Sequence, residues 1–278
     1  MSAFIPNIPK PEGFEAAADR WEYLFFAKER GVPVEAAVEK VTWPENLDTA
    51  VWELDLGDGI KGVVPASETG LADVSLMPRF VGQKVLVKIR GLDRGNGVAA
   101  CSRREAIADA QERLFQALKP DMVIDAVVKA VLPPDPATNK PASLVMDAGG
   151  GVLVEVPRKL ATRSRAHRLA ELFRPGQAVK AKVVHVDPQT GTLKLSLVDA
   201  EPDPWEGLVY KRGDVVAGAV VGQAEKMVFL EIKPGVVGIA PPPLRGVLRR
   251  GDRVAAVVTA FDREKKKLHL RLRGGRLA

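Results

Sequence analysis

The 278-residue sequence has one cysteine, three histidines, two tyrosines and only 5% aromatic residues in all. Each scarcity removes a class of function. With Cys101 alone there is no internal disulfide, and the residue falls in the return strand of an expected hairpin, where it reads as a small buried hydrophobe and not a nucleophile. His167, His185 and His269 lack metal-ligand spacing, and the last two sit inside expected strands, so all three read as structural. No apolar run approaches the ~20 residues of a spanning helix, and the leading MSAFIPNIPKPEGFE lacks the basic-then-apolar order of a secretion signal. A cytoplasmic protein with no membrane partner is expected. There is also no phosphate-cradling glycine motif, metal-ligand cluster or paired-carboxylate constellation, so neither an enzyme nor a cofactor is expected.

What is present is an ordinary folded composition, 46% hydrophobic and 27% charged, with an uneven charge. Residues 1–117 carry 14 Lys and Arg against 18 Asp and Glu, residues 118–205 carry 12 against 10, and residues 210–278 carry 15 against 6. A basic C-terminal third behind an acidic front suits a polyanionic partner at one end.

The chain also repeats itself. VLVKIRGLDRGNGVAACSR (85–103), KVVHVDPQTGTLKLSLVDA (182–200) and VAAVVTAFDREKKKLHLRL (254–272) are each an apolar strand, a turn opened by Asp93, Asp187 or Asp262, and a second apolar strand. Asp recurs there because its carboxylate can accept from the backbone of its own turn. Before each hairpin comes a glycine followed three residues on by valine: Gly82 and Val85, Gly176 and Val179, Gly251 and Val254. Opening strands (29–41, 118–131 and 211–223) and a middle pair (50–68, 143–157 and 227–243) complete each copy. An acidic residue ends the second strand (Asp55, Asp147, Glu231) and a proline the third (Pro65, Pro157, Pro241).

Five short strands in a fixed order suit a five-stranded OB-type barrel. The fold class is therefore all-β: three tandem barrels with an N-terminal helix and a helical connection between the first two. The expected divisions are a helical segment at 1–28, barrels at 29–103, 119–200 and 210–278, a helical linker at 104–118 and a proline linker at 201–209. In the helical linker Ser102 is an N-cap candidate and Ile107, Ala110, Leu114 and Leu118 form one stripe. The leading helix puts Trp21, Leu24 and Phe25 at helical spacing and is expected to cap the first barrel. The basic stretch 157–173 reads as helical, with Leu160, Leu169 and Leu172 turned inward.

GIKGVVPASE (59–68), the repeated glycine openings, the Asp187–Leu197 ending and the helix starting at Ser102 together resemble a run of S1 domains, the barrel named for bacterial ribosomal protein S1. The resemblance covers roughly residues 29–278. It implies single-stranded RNA across strands two and three, with bases stacked on aromatics and the backbone met by Lys and Arg. At the corresponding strand-two position the three copies have Trp52, Leu144 and Val228, so only the acidic first copy keeps an aromatic there, while Phe229 is expected to pack inside. In strand three the corresponding positions hold Val63 and Pro65, Glu155 and Pro157, Ile239 and Pro241. Candidate RNA contacts are Trp52 and Lys61 in the first copy, Arg158, Lys159, Arg163 and Arg165 in the second, and Lys226, Lys233, Arg245, Arg249 and Arg250 in the third. Lys265–Lys267 read as an exposed turn. The resemblance implies a non-catalytic binder of mRNA or rRNA acting near the ribosome. The alternative is a protein-binding scaffold that docks to the ribosome or transcription machinery through the Trp21–Phe26 helix.

Overall fold

Strand after strand alternates a buried residue with an outward one, and the computed structural model turns this period of two into three β-structures of five strands each. It describes residues 19–44, 49–243 and 246–276, with backbone alone for 274–276. The first barrel comprises β1 (Val34–Thr42), β2 (Val51–Asp55), β3 (Lys61–Pro65), β4 (Lys84–Asp93) and β5 (Val98–Ser102). The second comprises β6 (Val123–Leu132), β7 (Ser143–Asp147), β8 (Leu153–Pro157), β9 (Ala178–Asp187) and β10 (Thr192–Ser196). The third comprises β11 (Val215–Ala224), β12 (Met227–Lys233), β13 (Val236–Ala240), β14 (Arg253–Asp262) and β15 (Lys267–Arg276). The first and third run one-two-three-five-four around a closed barrel, and the middle one is a sheet in the order five-four-one-two-three, the same succession opened between strands three and five. The first and third close through a parallel pairing of strands three and five, β3 with β5 and β13 with β15. The middle one has the same order without a paired β8–β10 seam.

The repeated glycine has a common cause. Gly82, Gly176 and Gly251 have φ of +80°, +85° and +93°, a region glycine enters without steric cost. Each donates its N–H to a buried valine of its first strand, to Val38 at 2.8 Å, Val128 at 2.7 Å and Val220 at 2.8 Å. Just beyond each of those valines the first strand bulges by one residue. The bulge bends the strand so that one sheet can pair with both neighbours and curl, and the glycine ties the fourth strand into the bend.

The hairpin aspartates behave as turn residues. Asp93 accepts from the Asn96 amide and backbone, Asp187 from Thr190 and from the Gln189 backbone, and Asp262 from the Lys265 backbone. The Asn96 side chain, then its backbone N–H, holds the Asp93 carboxyl below its usual pKa, and the Thr190 hydroxyl followed by the Gln189 N–H does the same for Asp187.

Helix α1 (Arg20–Glu29) buries Leu24 and Ala27, and the Arg20 guanidinium donates to the Leu56 carbonyl at 2.6 Å, so α1 packs on the first barrel. Helix α2 (Arg103–Ala117) begins as expected, with the Ser102 hydroxyl accepting from the Glu105 N–H. The expected helix over 157–173 is instead two single turns, α3 (Arg158–Ala161) and α4 (Leu169–Leu172), separated by a loop. Leu169 is buried, and Leu160 packs at the edge of the core as anticipated. Cys101 is 3% exposed, and burial pushes its thiol pKa up to about 12, in keeping with a packing role.

By contacts the chain divides into two units. One is the chain up to Arg113 with Gly150–Val152; the other is Leu114–Gly149 with everything from Leu153 on. The second unit contains the second and third barrels, joined by hydrogen bonds. The guanidinium of Arg163 donates to the carbonyls of Val198, Glu201 and Pro202 in the linker. Trp205 is buried, donates to the Gly235 carbonyl at 3.2 Å and stacks parallel to Phe261. Glu231 is 6% exposed and accepts from the Ser164 hydroxyl at 2.9 Å and the N–H groups of Arg165 and Ala166 at 2.9 and 2.8 Å. In the other barrels the residue at this place is an aspartate accepting from its own turn, Asp55 from Gly57 and Asp147 from Gly149. The longer glutamate carries the acceptor across to the neighbouring barrel.

Candidate nucleic-acid interface

The pairing register decides which side chains strands two, three and five present outward. In the first barrel Glu53 pairs with Val63, and Val63 with Ala100. In the second Val145 pairs with Glu155, and in the third Phe229 pairs with Ile239, which pairs with His269. Ala100, Lys194 and His269 each lie seven residues after their hairpin aspartate, so the three sets are equivalent.

Trp52 is not on this surface. It lies one residue before outward Glu53, is 0% exposed, donates its indole N–H to the Met77 carbonyl at 3.1 Å and packs against Phe80 at 5.4 Å between ring centroids. The expectation of a stacking aromatic at Trp52 is therefore corrected: the indole is core. Phe229 is corrected in the opposite sense. Val228, 1% exposed, and Leu230 point into the third barrel, so Phe229 between them points out and is half-buried. Its ring lies beside Gly222 of β11, where a Cβ would stand 3.6 Å from the phenylalanine Cδ2. His269 projects outward between buried Leu268 and Leu270.

The three outward faces differ in chemistry. On the first, Glu53 is paired with Lys40 at 3.2 Å. On the second, Glu155 accepts from Lys140 and the Ser143 hydroxyl; burial works against its charged form, but those two partners outweigh it and hold the carboxyl below its usual pKa. Both carry a glutamate at the centre of this face. The third carries Phe229, Ile239 and His269, with Met227 at its margin and exposed Lys226, Lys233, Lys267 and Arg271 around it. An apolar, partly aromatic floor ringed by cations can stack a base and neutralise its phosphates. The aromatic and the basic charge thus fall in the same barrel.

The remaining candidates separate. Lys61 is exposed on β3, and Lys226, Lys233 and Arg249 are exposed in the third barrel. Arg245 lies outside the described residues. Arg163 is a joint residue and not a phosphate contact, because both of its terminal nitrogens are engaged by linker carbonyls. Arg158 likewise donates to the Ser164 and His167 carbonyls, and Arg250 to that of Arg165. Lys159 and Arg165 are exposed. The residues overlooked in the sequence are Phe229, His269 and Arg271. The alternation Leu-His-Leu at 268–270 marks His269 as outward, whereas Val-Phe-Leu at 228–230 is apolar throughout and hides its phase.

A family model described as the RRP5 S1 domain matches residues 118–197, the second barrel. The same strand order, bulge and glycine opening recur in the other two. The second barrel is thus an S1 domain, and the other two repeat its architecture. The chain is similar to the small ribosomal subunit protein bS1 homolog of Bacillus cereus, 28% identical over 212 residues that cover 72% of this chain and 53% of the relative. The bS1 protein of Staphylococcus aureus is 28% identical over 258 residues, 84% of this chain and 63% of its own. The Bacillus subtilis bS1 homolog is 29% identical over 188 residues, 65% and 47%. The chain thus spans about half to two thirds of the length of the curated relatives it matches. Among its described residues no helix is long and apolar enough to cross a membrane, and no three His, Cys, Asp or Glu side chains gather as a metal site.

Proposed function

We propose that this S1 chain binds single-stranded RNA, mRNA or rRNA, without catalysis, in association with the ribosome during translation. The observation that carries the reading is the outward triplet of Phe229, Ile239 and His269 in the most basic of the three barrels. A single strand exposes base faces that a duplex hides. Each base stacked on an aromatic contributes about 1–3 kcal/mol, and exposed Lys and Arg neutralise phosphates. The relatives named as small-subunit ribosomal proteins support placing that RNA in translation. A docking role for the Trp21–Phe26 helix is less favoured, because α1 spends Leu24 and Ala27 on the first barrel.

Two assays on the intact protein test this reading. In competition, unlabelled single-stranded RNA is expected to displace a labelled strand well below the concentration of duplex of the same sequence needed to do so. Co-sedimentation is expected to bring the protein down with ribosomal subunits. Equal competition by duplex, or binding indifferent to salt, would contradict the proposal.

A further inference from the structure

Beside the outward face of the third barrel lies a cleft of about 1020 Å³, walled by the loop after β8, the proline linker and β13. Its size is at the upper end of clefts that hold ligands, about 300–1,000 Å³. Two features bear on what it can hold. First, among the described residues, the exposed side chains of Lys159 and Arg165 line it without a hydrogen bond or ion pair of their own. Its other cations are engaged: Arg158 and Arg163 hold backbone carbonyls, and Lys266 pairs with Asp203 at 2.5 Å. Second, the cleft is continuous with the stacking face. Val237 lines it, and Val237 and Ile239 share the outward side of β13, two residues apart.

We propose that a single-stranded RNA seated on Phe229 continues into this cleft, where its phosphates are met by Lys159 and Arg165 of the second barrel. The inference rests on the reading of the third barrel as an RNA-binding module and extends it across two barrels. The Glu231 contacts and the Arg163 clamp fix the two walls relative to each other, so the cationic wall is already in place before RNA arrives. Pro157 and Val237 give the cleft apolar wall surface between the charges. A polyanion with an apolar, stackable repeat fits that combination.

The test compares salt dependence. The double variant Lys159→Gln/Arg165→Gln is measured against a labelled single-stranded RNA long enough to span both barrels. A control, Lys84→Gln/Lys180→Gln, removes the same charge from exposed sites that do not line the cleft. Each phosphate contact on a single strand contributes about 0.7 to the slope of log K against log[salt], so the cleft variant is expected to lose about 1.4 in slope. The control is expected to keep the wild-type slope. Because neither cleft side chain holds another element, the cleft variant is expected to melt as the wild type does. If the cleft variant binds with the wild-type slope while Phe229→Ala weakens binding, the cleft proposal fails and the stacking face stands. If the control loses as much slope as the cleft variant, general charge is responsible and the cleft has no special part. If the wild type binds no RNA, both proposals fall together. Displacement of RNA by polyglutamate at equal charge, lost in the cleft variant, would reassign the cleft to an acidic protein.

Discussion

Replacing an aromatic by alanine is expected to have opposite consequences at two positions that look alike in the sequence. Trp52→Ala empties a fully buried site and strands the Met77 carbonyl, and is expected to cost about 3–5 kcal/mol in urea unfolding of the first barrel. Phe229→Ala removes a half-buried outward ring; stability should change little, while affinity for single-stranded RNA should fall about five- to 150-fold, the equivalent of one lost stack. Cys101 gives a third residue-level expectation. With its thiol pKa pushed to about 12, it should resist a thiol-reactive chromophore at pH 8 in the native protein and react once guanidinium unfolds the chain. Prompt labelling of the native protein would contradict the packing. The inert cysteine was legible from composition. The outward turn of Phe229 was not, because Val-Phe-Leu at 228–230 is apolar throughout and fixes its phase only when its partner strand is known, and a shift of one residue exchanges core for surface.

At the scale of elements, the hairpin turns carry a pH signature. The Asp93 and Asp187 carboxyls lie below their usual pKa in the fold, so unfolding raises those values and takes up protons. Their contribution is fully present above the ordinary aspartate value of about 3.9 and is lost as pH falls through the lower folded values. Thr190→Val, which removes the larger of the Asp187 influences, is expected to move the Asp187 titration in NMR toward the ordinary value. No change would mean the hydroxyl is not the cause. The joint between the second and third barrels gives a separate expectation. Glu231→Ala leaves the Ser164 hydroxyl and the Arg165 and Ala166 N–H groups without their acceptor, each worth about 1–3 kcal/mol if it stays buried. The 201–205 linker should then become a protease site and the Trp205 fluorescence should shift to the red. An unchanged digestion pattern would show that the carboxylate does not hold the joint. The repeat order, the glycine openings and the turn aspartates were readable because their causes are local: positive φ, an Asx turn, a two-residue alternation. The part played by Glu231 was not, because only the folded neighbour supplies its donors.

For the molecule as a whole, the basic charge and the outward aromatic fall in the same barrel. Acidic residues exceed basic ones in the first 117 positions, and the outward faces of the first two barrels each present a glutamate at the heart of strand pairing. The third barrel pairs its aromatic with the chain's largest excess of Lys and Arg. The bulk charge asymmetry singled out the C-terminal third from sequence alone, while the outward aromatic that shares that barrel emerged only from strand register.

Equilibrium binding of the intact chain and of Phe229→Ala to one labelled single-stranded RNA, each across several salt concentrations, bears on this most directly. Both proteins should give lines of log K against log[salt] that fall with the same slope, since losing the ring removes no phosphate contact, and the variant's line should lie about five- to 150-fold lower. Coincident lines, or wild-type binding that does not weaken with salt, would contradict the assignment of the third barrel's outward face as the RNA-binding surface.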